Sequence, residues 1–130
     1  MKLRKIILML ICFFTLYSCA DYQINKKVQK KEKQYYSSSG FALVYDDKLF
    51  LQKIINKKID NEDIIVMHNL LKKNTPVQII NPLNSKTIET KIYNKSDFPK
   101  IFNVIISKKI ALILELDLNN PYVEINEIKK

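Results

Sequence analysis

From Gly40 to Ile128 the apolar residues come in short runs rich in β-branched side chains: Phe41–Tyr45, Ile64–Met67, Val77–Ile80, Thr87–Ile92, Val104–Ile106 and Tyr122–Ile125. Runs this short, broken by turn-forming residues, read as strands, because a buried helix needs about ten or more residues of helical periodicity. Thr87–Ile92 alternates as a half-exposed strand does, and Asn81-Pro82-Leu83-Asn84-Ser85 before it supplies turn chemistry for a hairpin with Val77–Ile80. One segment has helical spacing instead. Ser107 is placed to cap Lys108–Leu116, which ends near Asn119-Asn120-Pro121. Asp46-Asp47 reads as a polar turn, with a ligand-binding role as the alternative. The expected fold is mainly β: a small closed barrel with one short inserted helix, formed by residues 40–130.

The N-terminus has a different composition. Lys2, Arg4 and Lys5 precede an apolar run from Ile6 to Tyr17, the layout of a secretory signal. The run is shorter than the roughly 20 apolar residues that a permanent bilayer span needs. It ends in Leu16-Tyr17-Ser18-Cys19, which resembles a bacterial lipobox, with cleavage before the cysteine and acylation of its thiol. The expectation is a signal peptide over 1–18, a lipidated Cys19, and a lysine-rich linker over 19–39 that lacks the apolar periodicity to fold. Ala20, in place of an aspartate after the cysteine, points to the periplasmic face of the outer membrane.

On this reading Cys12 leaves with the signal and Cys19 is acylated, so no thiol remains for a disulfide or a cysteine zinc site, and no cofactor is expected. Loss of Lys2, Arg4 and Lys5 lowers the net charge from +9 to +6. An exported, basic protein of this kind is not expected to meet nucleic acid. The partners it predicts are anionic envelope polymers, lipid head groups or another envelope protein. A single glycine in the chain excludes a glycine-rich phosphate loop.

The order of landmarks resembles the rare lipoprotein A family, septal-ring lytic transglycosylases that act on peptidoglycan glycan strands. His68 falls where the family has the His of an Ala-Ala-His motif, and Asn74–Pro82 is similar to its Gly-Thr-x-Val-x-Val-Thr-Asn segment. Leu83–Ile88 is similar to the hairpin that follows, and Asn94-Lys95-Ser96-Asp97-Phe98 to the Asp-Arg-Gly-Pro-Phe loop. Val104–Ser107, the helix and Tyr122–Ile125 resemble the family's closing elements. The resemblance implies a six-stranded double-psi β-barrel. Asn74 and Asn84 stand where the family has glycine, and asparagine is the next residue to tolerate left-handed backbone.

The catalytic acids implied by the resemblance are replaced. The family's Asn-Gly-Glu falls on Asn56-Lys57-Lys58, and the Asp of its Ile-Asp-Leu-Ser falls on Ile105; the loop aspartate becomes Asn94. Neither a lysine nor an isoleucine can deliver a proton to a glycosidic oxygen at neutral pH as a carboxylic acid does. Relocated acids, Asp60, Glu62, Asp63 or Asp97, are the alternatives. His68, the only histidine, is either a sugar or proton ligand or a strand-end residue satisfied by backbone. Tyr45, Tyr93 and Phe98 offer aromatic faces, either for sugars or for packing. The expected function is glycan or partner binding through the surface around His68, Tyr93, Asn94 and Phe98, with lytic cleavage or a protein-interaction role as alternatives.

Overall fold

A computed structural model describes residues 2–5 and 34–129; Cys19, the expected cleavage point and most of the expected linker lie outside them. Residues 2–5 form a short exposed helical stretch, and residues 35–129 form a compact unit. That unit is mainly β, with seven strands in a curled half-barrel sheet. The strands are β1 (Ser37–Val44), β2 (Val66–His68), β3 (Pro76–Ile80), β4 (Thr87–Lys91), β5 (Asn94–Lys95), β6 (Phe102–Ile106) and β7 (Tyr122–Glu127). Two short helices join them: α1 (Asp47–Leu51) and α2 (Lys108–Ile113). The sheet order is β4-β3-β7-β1-β6-β2-β5, parallel at β1–β6 and β2–β5 and antiparallel elsewhere.

Side-chain alternation divides the core in two. Ala42, Val66, Val104 and Ile106 point into the concave face with Val77, Ile79, Ile92, Val123 and Ile125, and α2 contributes Ile110, Ala111 and Leu114. Their neighbours Leu43, Met67 and Ile105 point the other way, into a second cluster with Tyr45, Ile55, Ile59 and Ile65. The strands at the centre of the sheet are therefore covered on both sides, which explains why their apolar runs are continuous rather than alternating. β4 has one exposed side and alternates as the sequence predicts. It pairs with β3 through the expected hairpin, Val77 opposite Thr90 and Ile79 opposite Ile88.

Five features differ from the sequence expectation, the first being that the sheet is a curled half-barrel with β4 and β5 at its edges and not a closed barrel. There are seven strands rather than six, the addition being the two-residue β5 within Asn94–Phe98. β1 begins at Ser37, ahead of Gly40, because Ser37–Phe41 pairs with Tyr122–Asn126 of β7. Asp46-Asp47 starts a helix: the Asp46 carboxylate accepts from the Lys48 amide at 3.0 Å, as an N-cap does. Finally, α2 ends at Ile113, before the expected Leu116, and Ser107 does not cap it through its side chain. The buried Ser107 hydroxyl donates instead to the Asp63 carbonyl (2.6 Å) and accepts from the Ile65 amide (3.3 Å). The capping acceptor comes from a distant loop, where Asn61 Oδ1 takes the Lys108 amide at 3.0 Å.

Both helices end in the same manner. After α1 the Lys53 amide bonds Phe50 O and the Ile54 amide bonds Leu49 O; after α2 the Glu115 amide bonds Leu112 O and the Leu116 amide bonds Ala111 O. These are Schellman closures, which require a left-handed residue, usually glycine. Here the residue is Lys53 (φ 59°) or Glu115 (φ 50°). Asn74 is left-handed as expected (φ 68°), but in the β3–β4 turn the left-handed residue is Ser85 (φ 60°), not Asn84. Asn84 acts through its side chain, which accepts from the Lys86 amide and donates to Leu114 O at the end of α2.

The one glycine is used for close approach. A Cβ on Gly40 would lie 3.0 Å from Asn103 Cβ, where β1 crosses the irregular step in its pairing with β6. Two substitutions therefore have opposite expected signs. Gly40→Ala lowers stability by about 1–3 kcal/mol through overpacking, whereas Lys53→Gly raises it by about 0.5–1 kcal/mol by relieving left-handed strain. Urea denaturation of the two variants checks both; a more stable Gly40→Ala protein would show that Asn103 yields freely.

Candidate functional site

Three of the segments marked by the sequence, Asn56–Lys58, Asn94–Phe98 and Ile105, come together around the second cluster. Ile55 and Ile59 are buried there, and the residues between them turn outward: Asn56 and Lys58 are exposed and Lys57 is half-buried. The segment is tied to β5 by Ser96, a buried residue whose hydroxyl donates to Asn56 Oδ1 at 3.1 Å. Ser96 is held in turn by its amide, which donates to the carbonyl of His68. One short chain of hydrogen bonds thus joins the Asn56–Lys58 segment, the Asn94–Phe98 segment and the end of β2.

Ile105 closes the arrangement from below. It is fully buried, opposite Met67 on β2 and Leu43 on β1. Phe98 and Phe102 pack against the same cluster. Tyr45 also belongs to it, and its hydroxyl donates to Asp47 Oδ1 at 3.1 Å. Tyr45 is fully buried, so the ring is a core element and offers no face to a sugar; burial, followed by that hydrogen bond, raises its pKa.

On the outer surface Tyr93 is 47 % exposed, while Asn94 is half-buried and pairs with Met67. Asn94 Oδ1 accepts from the Lys95 amide at 3.0 Å, which occupies a donor of this edge strand. Lys58 and Asp60 share an open groove of about 530 Å³ with Asp47, Ile59 and Asn61. Asp60 Oδ1 accepts from the Glu62 amide. Glu62 lies instead beside α2 in another groove, and Asp97 is exposed next to Ser96. Asp63 serves through its backbone carbonyl. The four acids considered in place of the family's carboxylates are thus dispersed among several settings.

His68 is fully buried. Its Nδ1 accepts from the amides of Leu70 and Leu71, both at 3.0 Å, so in the neutral ring the proton sits on Nε2. The Tyr36 ring packs edge-on at 4.9 Å between centroids and Phe98 at 6.5 Å. Nε2 has no hydrogen-bond partner among the described residues. Burial alone pushes the pKa of His68 down from 6.5 to about 4, with no charged neighbour contributing. The ring is therefore neutral at pH 7, lacks a carboxylate partner and is sealed from solvent.

Among the described residues no group of three or more His, Cys, Asp or Glu side chains is arranged to hold a metal ion. Sequence reading missed Asn56 as an acceptor, Ser96 as the tie between segments, and Asn61. Asn61 Nδ2 donates to Tyr45 O at 3.2 Å while its other side-chain atom caps α2. Nothing in the local sequence marks these pairings, because their partners lie 40 or more residues away for Ser96–Asn56 and Lys108–Asn61. No family model and no curated protein matches the chain.

The histidine supplies a pH prediction. The unfolded chain binds a proton near pH 6.5 and the folded one only near pH 4, so the unfolded state holds more protons between these values. His68 thus contributes its full share of stability above about pH 6.5, and that share is lost as pH falls toward 4, by about 2–4 kcal/mol in all. With a single histidine in the chain, one imidazole NMR resonance reports the titration. A midpoint near 4 is expected, together with a matching fall in unfolding free energy; a midpoint near 6.5 would mean that the ring reaches water.

Proposed function

We propose that this chain is a cell-envelope lipoprotein whose barrel, of the double-psi type found in the rare lipoprotein A family, binds peptidoglycan glycan strands without cutting them. The observation that supports it is convergence. Asn56–Lys58, Asn94–Phe98 and Ile105, three segments separated in sequence, meet around one cluster, and these are the segments that the resemblance assigns to the family's glycan cleft. A glycan would lie along the exposed side of this assembly, with Tyr93 offering an aromatic face and Lys58 and Asn94 offering polar contacts. Tyr36, Phe98 and the backbone of Leu70 and Leu71 keep His68 as a structural support beneath that surface.

The chemistry favours binding over cleavage. Protonation of a glycosidic oxygen requires an acid within hydrogen-bond reach, matched to a second group that assists attack. Ile105 is an alkyl side chain in the core, Lys58 is a cation, and His68 is neutral and enclosed. In this reading Cys19 carries the lipid anchor and holds the domain on the periplasmic face of the outer membrane, within reach of the wall.

Glycan strands freed of peptide and sedimented with the full chain test the proposal. Retention is expected, with Tyr93→Ala weakening it by about 3- to 10-fold, and no anhydro-ended sugars released. Release of such ends, abolished by Asp60→Asn, would replace binding with catalysis by a relocated acid. Absence of retention would leave a protein partner as the ligand. Intact mass of the purified chain should show acyl groups on Cys19, and a free thiol there would remove the anchor.

A further inference from the structure

The helix α1 buries none of its residues completely. Leu49 is half-buried and packs against the second cluster, which holds the helix on that side. The apolar residues around it remain open to solvent: Phe50 is 38 % exposed, Leu51 75 % and Ile54 39 %. The Schellman closure keeps Ile54 beside the helix, because its amide returns to Leu49 O while Lys53 takes the left-handed turn. Large apolar side chains gathered in one short stretch mark an interaction surface, whereas exposed residues scattered singly do not.

Shape and charge together select the occupant. Phe50, Leu51 and Ile54 line neither the groove at Lys58 nor the groove beside α2, so the patch is suited to entering an apolar medium and not to enclosing a small ligand. Its charges are of one sign. Lys48, Lys53 and Lys57 accompany the apolar residues, no acid occurs from Lys48 to Ile59, and none of these lysines forms an ion pair among the described residues. The flanking acids are engaged: Asp46 caps α1 and lies 4.0 Å from Lys108, Asp47 accepts from the Tyr45 hydroxyl, and Asp60 accepts from the Glu62 amide. A second copy of this chain would set lysine against lysine, and a soluble anionic polymer would leave the apolar side chains in water. An anionic bilayer surface accepts both, since aromatic and aliphatic side chains enter the interface while lysines extend along their alkyl stems to the level of the phosphates.

We propose that the exposed face of α1 and its closing turn is a docking surface for anionic lipid, in which Phe50, Leu51 and Ile54 enter the bilayer interface and Lys48, Lys53 and Lys57 meet head-group phosphates. The surface uses neither Cys19 nor the Tyr93 and Asn94 side chains, so it stands apart from both parts of the proposed function. It fixes how the domain faces the membrane.

The chain contains no tryptophan, so Leu51→Trp supplies a single fluorophore at a position that is already 75 % exposed. The full chain with this substitution is mixed with vesicles of equal parts phosphatidylcholine and phosphatidylglycerol, and separately with vesicles of phosphatidylcholine alone. With the anionic vesicles only, emission should move to shorter wavelength and be quenched by brominated acyl chains. Adding Lys48→Glu and Lys53→Glu should lower the ratio of docked to free emission by at least about 10-fold. Glutamate is compatible with the left-handed position of Lys53, since Glu115 occupies the equivalent place after α2. Leu118→Trp in the otherwise unaltered chain, 68 % exposed and next to Asp117, should keep its emission. An unchanged Leu51→Trp spectrum would overturn the proposal, as would an equal response to neutral vesicles, indifference to the two charge reversals, or an equal response from Leu118→Trp. A shift that appears without lipid as the chain is concentrated would assign the face to self-association and equally overturn it. Acylation of Cys19 is read separately from intact mass, so loss of the anchor and loss of docking are distinguishable.

Discussion

The arrangement depends on β6 being buried on both faces. Val104 and Ile106 face the concave core, and Ile105 faces the opposite cluster; all three are fully excluded from solvent. Such a strand needs cover on its second side, and the cover is supplied by α1 and the segment that carries Ile55 and Ile59. The residues between those anchors then have to turn outward, which sets Asn56 to Lys58 above β6. Surface and core are thus consequences of one packing requirement. A carboxyl group in place of Ile105 would be surrounded by Met67, Leu43 and Tyr45, a setting that penalises its charged form unless a partner is present.

Scarcity of glycine shapes the remaining backbone. Among the described residues four non-glycine residues take left-handed conformations: Lys53 and Glu115 at helix ends, Ser85 in the β3–β4 turn and Asn74 in the turn before β3. Only Asn74 is of the type that tolerates this well. Lys53 is held by the local closure of α1, and Ser85 and Glu115 lie where tertiary bonds join two elements. Near Ser85, Asn81 donates to Leu114 O while accepting from the Leu83 amide, and Asn84 donates to the same Leu114 carbonyl. Lys86 meets Glu115 across the junction. The hairpin and the end of α2 therefore stabilise one another, with side-chain amides supplying polar contacts that tight glycine turns would otherwise leave to the backbone.

This division explains what was legible in the sequence. Strands whose core contribution is local, such as β3 and β4 with their intervening turn, were visible as alternating or β-branched runs. β5 was not, because two residues have no periodicity; it exists through pairing with β2. Ser107 looked like a helix cap because position favours serine there, but burial gave its hydroxyl stronger claims on Asp63 and Ile65. Asn61 then took the cap from 47 residues away. The candidate surface was legible as a set of segments, through resemblance, and not as an assembly. The bond between Ser96 and Asn56 that joins two of those segments leaves no trace in either neighbourhood.

His68 serves the packing of the domain and offers no reactive imidazole to solvent. A catalytic histidine needs access to its substrate and a neighbour that sets its charge. Here Nδ1 is occupied by two backbone amides and the ring is closed in by Tyr36 and Phe98. Those amide bonds fix the turn after β2, and the His68 carbonyl holds the Ser96 amide, from which the hydroxyl reaches Asn56. A protonated Nδ1 could not accept either amide, so the same low-dielectric enclosure that keeps the ring neutral also keeps this turn intact. The histidine therefore acts on the surface mechanically, by holding the segments that form it, while the side chains exposed there include Asn56, Lys58, Tyr93 and Asp97.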